Sequence, residues 1–174
     1  LGRALASEFA LLAAPATAPL FLRKLQRRAL KQYRRREPVW KGCGDIICML
    51  DESASAEDQA PWCKAVALAL LDIAMGGRRR FAMIHFSGKD NYKTDLFLPG
   101  QCGREDVLRA AETFLGGGTD YATPLREALR LMDEEGFERA DMVFVTDGQC
   151  ALPRDFLETF QRRQEELGFQ VTGI

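Results

Sequence analysis

At 174 residues, with 47% hydrophobic and 28% charged side chains, the chain is long enough for one domain with a sizeable core and too apolar for a disordered or collagen-like segment. Its longest apolar run, AVALALLDIAMGG, is interrupted by Asp72 and too short to cross a bilayer, and the Ala-rich start carries Glu8 and no basic leader, so neither a membrane span nor a signal peptide is expected. The net charge of −1 hides an asymmetry: residues 23–36, RKLQRRALKQYRRR, hold eight bases and no acid, whereas from Glu37 onward 15 Lys and Arg face 24 Asp and Glu, a net of −9.

The first 36 residues carry helical spacing in ALASEFALLA, a Pro-containing break at APATAP, and a second helical stretch in LFLRKLQRRALKQY. The basic run reads as a solvated helix face that lies against an acidic domain. Nucleic-acid binding is the weaker reading, because only Tyr33 interleaves an aromatic with the bases, and a membrane-surface helix is a further minor one.

From residue 45 strand and helix alternate, the pattern of a parallel α/β sheet. DIICML, residues 45–50, is a continuous apolar run, as a strand covered on both faces requires. A helix is expected over 60–75, apolar on most sides and closed by Gly76 and Gly77. RFAMIHFS and YKTDLFL give two strands joined by the turn GKDN, too short for a crossover helix, so they pair antiparallel with the third strand at an edge. His85 shares a strand face with Met83 and is expected in the core. Helices follow over 104–115 and 121–135, then the strand MVFVT, a helix over 154–167 and the strand FQVTG. The chain starts at Leu1 rather than Met and stops straight after a strand, so an excised piece is expected.

Five cysteines (Cys43, Cys48, Cys63, Cys102 and Cys150) are an odd number without CxxC spacing, and one histidine is available to help them. Neither a zinc site nor a disulfide framework is expected, and reduced thiols fit an intracellular compartment.

Three polar clusters stand out: DESAS after the first strand, GGGTD before a helix, and TDG after MVFVT. In a parallel α/β sheet, ligands collect outside the carboxyl ends of the strands, and all three clusters can reach that edge. The groups that would meet are the carboxylates of Asp51 and Asp147 and the hydroxyls of Ser53, Ser55 and Thr119. Hard oxygen donors without imidazole or thiolate suit Mg²⁺, and Asp51 and Asp147 could accept hydrogen bonds from its water ligands. Gly116, Gly117 and Gly118 permit the positive φ that brings Thr119 close. Taken singly, the clusters are also ordinary turn and cap chemistry: Asp120 or Thr123 suits a helix cap and Pro124 a first turn.

The order and setting of the clusters resemble von Willebrand factor A (VWA) domains, whose metal-ion-dependent adhesion site combines DxSxS, a Thr in a Gly-rich loop and an Asp in a [ST]DG turn. The matching residues are Asp51, Ser53, Ser55, Thr119 and Asp147, and the resemblance covers residues 42–174. It implies a Rossmann-like α/β fold over residues 41–174, with a mainly parallel sheet of order 3-2-1-4-5-6 flanked by helices, one antiparallel edge strand, and a helical basic segment 1–40 before it. It also implies a divalent ion, Mg²⁺ or alternatively Mn²⁺ or Ca²⁺, with one open position filled by an acidic side chain of a protein partner. Glu52, Gly118, Asp120 and Gly148 border these ligands and are expected to meet the partner. The chain departs from the family at Ala54 and Ala56, where Gly and Met are common, and at Glu52, which is expected to face solvent.

The segment leading into the domain, with GGGTDYATPLREAL and ADMVFVTDGQCALPRDF, is similar to ViaA and CoxE-like proteins, bacterial partners of MoxR-type AAA+ ATPases. That resemblance implies a cytoplasmic adaptor rather than an enzyme, with a further helical region before this segment and ATP hydrolysis left to the partner, since no GxxxxGK[ST] is present. A Mg²⁺-dependent phosphohydrolase is the enzymatic alternative. It lacks its second acid, because Ser53 stands where the DxDx[TV] pattern has one. A VWA domain without metal is the remaining structural alternative.

Overall fold

The computed structural model describes residues 11, 15, 17–27, 44–137, 140–146 and 150–174, and the chain divides into two units, residues 1–41 and 42–174. In the first unit helix α1 (Ala18–Gln26) begins inside the APATAP stretch, with a proline in its first turn, where the missing N–H costs nothing. Phe21 is buried, while Leu20, Leu22 and Leu25 are exposed. The basic run beyond Arg27 lies outside the described residues, as does Cys43.

In the second unit, β1 (Ile46–Asp51) is buried at all six positions. It pairs in parallel with β2 (Phe81–Phe86) on one side and β4 (Asp141–Val145) on the other. β3 (Tyr92–Phe97) runs antiparallel along β2, because the turn at 87–91 leaves no room for a crossover. β5 (Val171–Gly173) adds in parallel to β4, giving the order β3-β2-β1-β4-β5. This is the expected α/β sheet with one antiparallel edge. The sixth strand of the expected order is not found among the described residues.

The pleat sends alternate side chains of β1 to opposite faces, and each face has its own core. Ile47 and Met49 pack with Ile84, Phe86 and Phe144 under helices α4 (Ala122–Glu134) and α5 (Arg154–Leu167). Ile46, Cys48 and Leu50 pack with Phe81, Met83 and Val145 under α2 (Ala60–Gly76) and α3 (Arg104–Glu112). Helix α2 buries one face, through Cys63, Ala67, Leu71 and Ala74. Trp62 and Ile73 remain more than half exposed, so its apolar character is not matched by burial on most sides. Helix α3 ends at Glu112, earlier than its periodicity predicts, because Thr113 turns to extended backbone (φ −64°, ψ 131°) and leads the chain into the glycine loop.

The amino-terminal edge of the sheet is pinned by two arginines. Arg80 donates from its backbone N–H (2.9 Å) and Nε (2.8 Å) to the Asp45 carboxylate, and its guanidinium lies 4.8 Å from the Phe137 ring centroid. Arg79 pairs with Asp141 at 3.0 Å. No helix among the described residues is long and apolar enough to cross a membrane.

Four cysteines are described, and all are free thiols. Burial, with a smaller contribution from the Cys63 thiol, pushes Cys48 up to about 12. Two outcomes follow. Leu131→Ala, at a site 1% exposed, is expected to lower unfolding free energy by about 2–5 kcal/mol in a urea melt, whereas Ile73→Ala, 59% exposed, should stay within about 0.5 kcal/mol. Iodoacetamide at pH 8 followed by mass spectrometry should modify Cys150 in the folded protein and leave Cys48 unmodified until denaturant is added.

Candidate metal centre

The loop after β1 starts from Asp51, which is fully buried, and passes through Ser53 into a 3₁₀ helix over Ala54–Gln59. Asp51 is held by two donors. Its Oδ1 accepts the Ser53 backbone N–H at 3.0 Å, and its Oδ2 accepts the Thr146 hydroxyl at 2.7 Å. An ionised carboxylate offers about four lone-pair sites, so two remain for other donors. Ser53 is buried and Ser55 exposed, and their hydroxyl oxygens face each other at 3.1 Å. Two neighbouring ligands of an octahedral Mg²⁺ at about 2.1 Å stand about 3.0 Å apart, so this spacing matches one edge of such an octahedron.

The glycine loop is stitched to the first loop through the backbone. Gly116 N–H donates to Glu52 O (2.9 Å), and Ala54 N–H donates to Gly117 O (3.0 Å). Both bonds require the glycine backbone, since Gly116 and Gly117 have φ of +66° and +94°, where a side chain is strained. Thr119 lies two residues on, and the following Asp120 N–H donates to Ser87 O at the end of β2 (2.8 Å). The Asp120 carboxylate accepts the N–H (3.1 Å) and hydroxyl (2.6 Å) of Thr123, which is the capping role open to it from sequence. The loop after β4 joins through Thr146 and through the Cys150 thiol, which donates to Thr119 O at 3.5 Å.

The structure therefore draws Asp51, Ser53 and Ser55 into one cluster, with the loops bearing Thr119 and Thr146 tied to it. Asp147 and Gly148 lie outside the described residues, and Gly118 is exposed beside the glycine-loop stitch. Among the described residues no cluster of three or more His, Cys, Asp or Glu side chains could hold a metal ion. The donor set here is of another kind: one buried carboxylate and hydroxyls, which suit a hard ion that keeps several waters.

Glu52 departs from expectation. Its side chain is 1% exposed rather than facing solvent, because the pleat turns it to the face opposite Asp51. There its Oε1 accepts from Nδ1 of the fully buried His85 at 3.0 Å, and its Oε2 lies 3.8 Å from Lys64 Nζ on α2. His85 Nε2 stands 3.5 Å from Asp95 Oδ2, which pairs with Lys93 Nζ at 2.9 Å. The two lysines meet at Thr113, Lys64 donating to its carbonyl (2.6 Å) and Lys93 to its hydroxyl (2.9 Å), at the start of the glycine loop. The buried Glu52 carboxylate is thus answered by the His85 hydrogen bond and by Lys64 at 3.8 Å, and its Oε2 makes no hydrogen bond among the described residues. Lys64 and Lys93 gave no signal in sequence. Sheet pairing sets Lys93 opposite His85, and the packing of α2 brings Lys64 to Glu52.

No family model matches the chain. It is 32% identical over 135 residues to an uncharacterized protein of Methanocaldococcus jannaschii, covering 77% of this chain and 33% of that one. It is 26% identical over 162 residues to the regulatory protein ViaA of Edwardsiella ictaluri, covering 83% of this chain and 33% of ViaA. The chain spans about a third of the length of these curated relatives. Among solved structures, a von Willebrand factor type A protein from Catenulispora acidiphila matches with a TM-score of 0.56 at 17% identity, over 75% of this chain and 32% of that one. With its mostly parallel five-stranded sheet, antiparallel edge and flanking helices, the chain has a VWA-like α/β fold.

Proposed function

We propose that this domain is a metal-dependent protein-binding module. Asp51, Ser53, Ser55, Thr119 and Asp147 hold Mg²⁺, with Mn²⁺ or Ca²⁺ as substitutes, and an acidic side chain of a protein partner completes the site. The observation that carries this reading is the cluster at the carboxyl end of β1, with the two serine oxygens 3.1 Å apart beside a buried, doubly hydrogen-bonded Asp51. The ion supplies positive charge at a protein surface, which attracts a carboxylate and no particular sequence. Its selectivity for one partner comes from the residues around it. The domain carries no chemistry of its own in this reading.

Similarity to the regulatory protein ViaA supports a regulatory role exerted through a protein partner. The partner proposed is a MoxR-type AAA+ ATPase, with ATP hydrolysis on its side of the interface, in the cytoplasm of a bacterium.

Two measurements test the proposal. Adding MgCl₂ to the chelator-treated protein should raise its melting temperature, by mass action about 2.7 kcal/mol of stabilisation at a hundredfold excess over the dissociation constant. Asp51→Ala should abolish the rise, and an unchanged wild-type melting temperature sinks the metal site. In a pull-down with the MoxR-type ATPase of the same organism, capture should be lost with EDTA and with Asp51→Ala. Equal capture under all conditions would mean that the partner does not bind through an ion.

A further inference from the structure

Asp51 is held from beneath by a chain of two hydroxyls: Thr146, which opens the TDG turn, and Tyr121, which the DxSxS, GGGT and TDG patterns do not include. Tyr121, at the start of α4, places its Oη 2.5 Å from Thr146 Oγ1, and Thr146 Oγ1 donates to Asp51 Oδ2 at 2.7 Å. A threonine hydroxyl has one proton, and an ionised carboxylate only accepts. The Thr146 proton is committed to Asp51, so at the other bond Tyr121 is the donor. The polarity runs one way, from the Tyr121 O–H through the Thr146 O–H to the Asp51 carboxylate, and such chains polarise each other in the same direction.

The ring of Tyr121 is fixed independently of its hydroxyl. It packs edge-on to Phe86 (centroids 6.0 Å apart) and to Phe144 (4.9 Å) and is 9% exposed. Strand alternation places Asp51, Thr146 and this aromatic cluster on the same side of the sheet. The tyrosine is thereby rigid, with its polar end aimed at the threonine, and its own backbone lies two residues beyond Thr119. Tyr121 therefore links the α4 end of the glycine loop to Thr146, the residue before Asp147, and through it to the carboxylate of the first loop.

We infer that Tyr121 is a positioning residue for the ion site: by donating to Thr146 it fixes the direction in which Thr146 holds Asp51, so that the free lone pairs of Asp51 face the ion and its waters. This rests on the metal-binding reading above. Partners that orient the groups around a metal typically change affinity by about 10–100-fold when lost. A purely structural tyrosine at the head of α4 would instead change stability and leave affinity alone.

The test uses the full chain and the luminescence of Tb³⁺, a hard-ion probe, with emission lifetimes in H₂O and D₂O counting the waters on the bound ion. Tyr121→Phe keeps the ring and removes the donor, Thr146→Val removes the middle hydroxyl, and Thr146→Ser keeps it. Tyr121→Phe and Thr146→Val are expected to weaken Tb³⁺ binding about tenfold or more and to change the water count, while Thr146→Ser stays near wild type. Circular dichroism and melting of each variant without ion show whether it is folded. Because Tyr121→Phe preserves the aromatic packing, the inference does not depend on Thr146→Val folding. Wild-type affinity and water count in Tyr121→Phe overturn this inference alone. Tb³⁺ binding that is equal in wild type and Asp51→Ala overturns the metal-binding reading and this inference with it.

Discussion

The constraint on which this structure depends is that β1 is covered on both faces and paired on both edges. A strand so placed has no solvent along its length, so its side chains must be apolar until its carboxyl end, where the neighbouring loops separate. Asp51 is the last residue of that strand and is still fully buried. A carboxylate in such a position is tolerated only with its charge answered by donors, and the Ser53 N–H and the Thr146 hydroxyl answer it from two different loops. Convergence of the loops is thus a requirement of burying β1 with an acid at its tip.

The pleat then separates two adjacent acids into different roles. Asp51 turns toward the α4 and α5 face and meets Thr146, while Glu52 turns toward the α2 and α3 face and meets His85 and Lys64. The second group is a nearly balanced ionic cluster of Glu52, Asp95, Lys64 and Lys93 around one imidazole. Removing one partner from such a cluster leaves a buried charge unanswered, which is far more destabilising than the cluster is stabilising. Its consequence for the site is geometric: both lysines end on Thr113, so the start of the glycine loop is anchored to β3 and α2, while Gly116 and Gly117 anchor its middle to the first loop.

The two ends of the sheet are built differently. At the amino-terminal edge, Arg79 pairs with Asp141, the first residue of β4, and Arg80 with Asp45, just before β1. At the carboxyl edge the loops are joined mainly by backbone hydrogen bonds and hydroxyls. That division leaves the carboxyl edge with oxygen atoms as its available donors, the chemistry that a hard cation selects.

Much of this was legible in the amino-acid sequence. Apolar continuity located β1, the short GKDN connection dictated an antiparallel edge, and the alternation in FAMIHFS placed His85 on the face of Met83, because these features depend on spacing along the chain. The cluster DxSxS and the glycines before Thr119 could likewise be recognised as a set, since turn geometry restricts which residues fit. What spacing could not supply was the destination of each side chain once strands from distant segments were paired. Glu52 reads as a solvent-facing residue until β2 and α2 are packed beside it, and Lys64, Lys93 and Tyr121 take on meaning only as neighbours of residues 12 to 25 positions away, while Thr146, part of the TDG cluster in sequence, shows its partner Asp51 only in the fold. The sequence by itself determined the strand and helix segments, the antiparallel edge and the candidate oxygen donors, all local properties of composition, period and spacing. Only the tertiary structure decided which donors hold Asp51 and which groups stand beside Glu52, because a buried charge meets whatever the packing brings near it, wherever it lies in the chain.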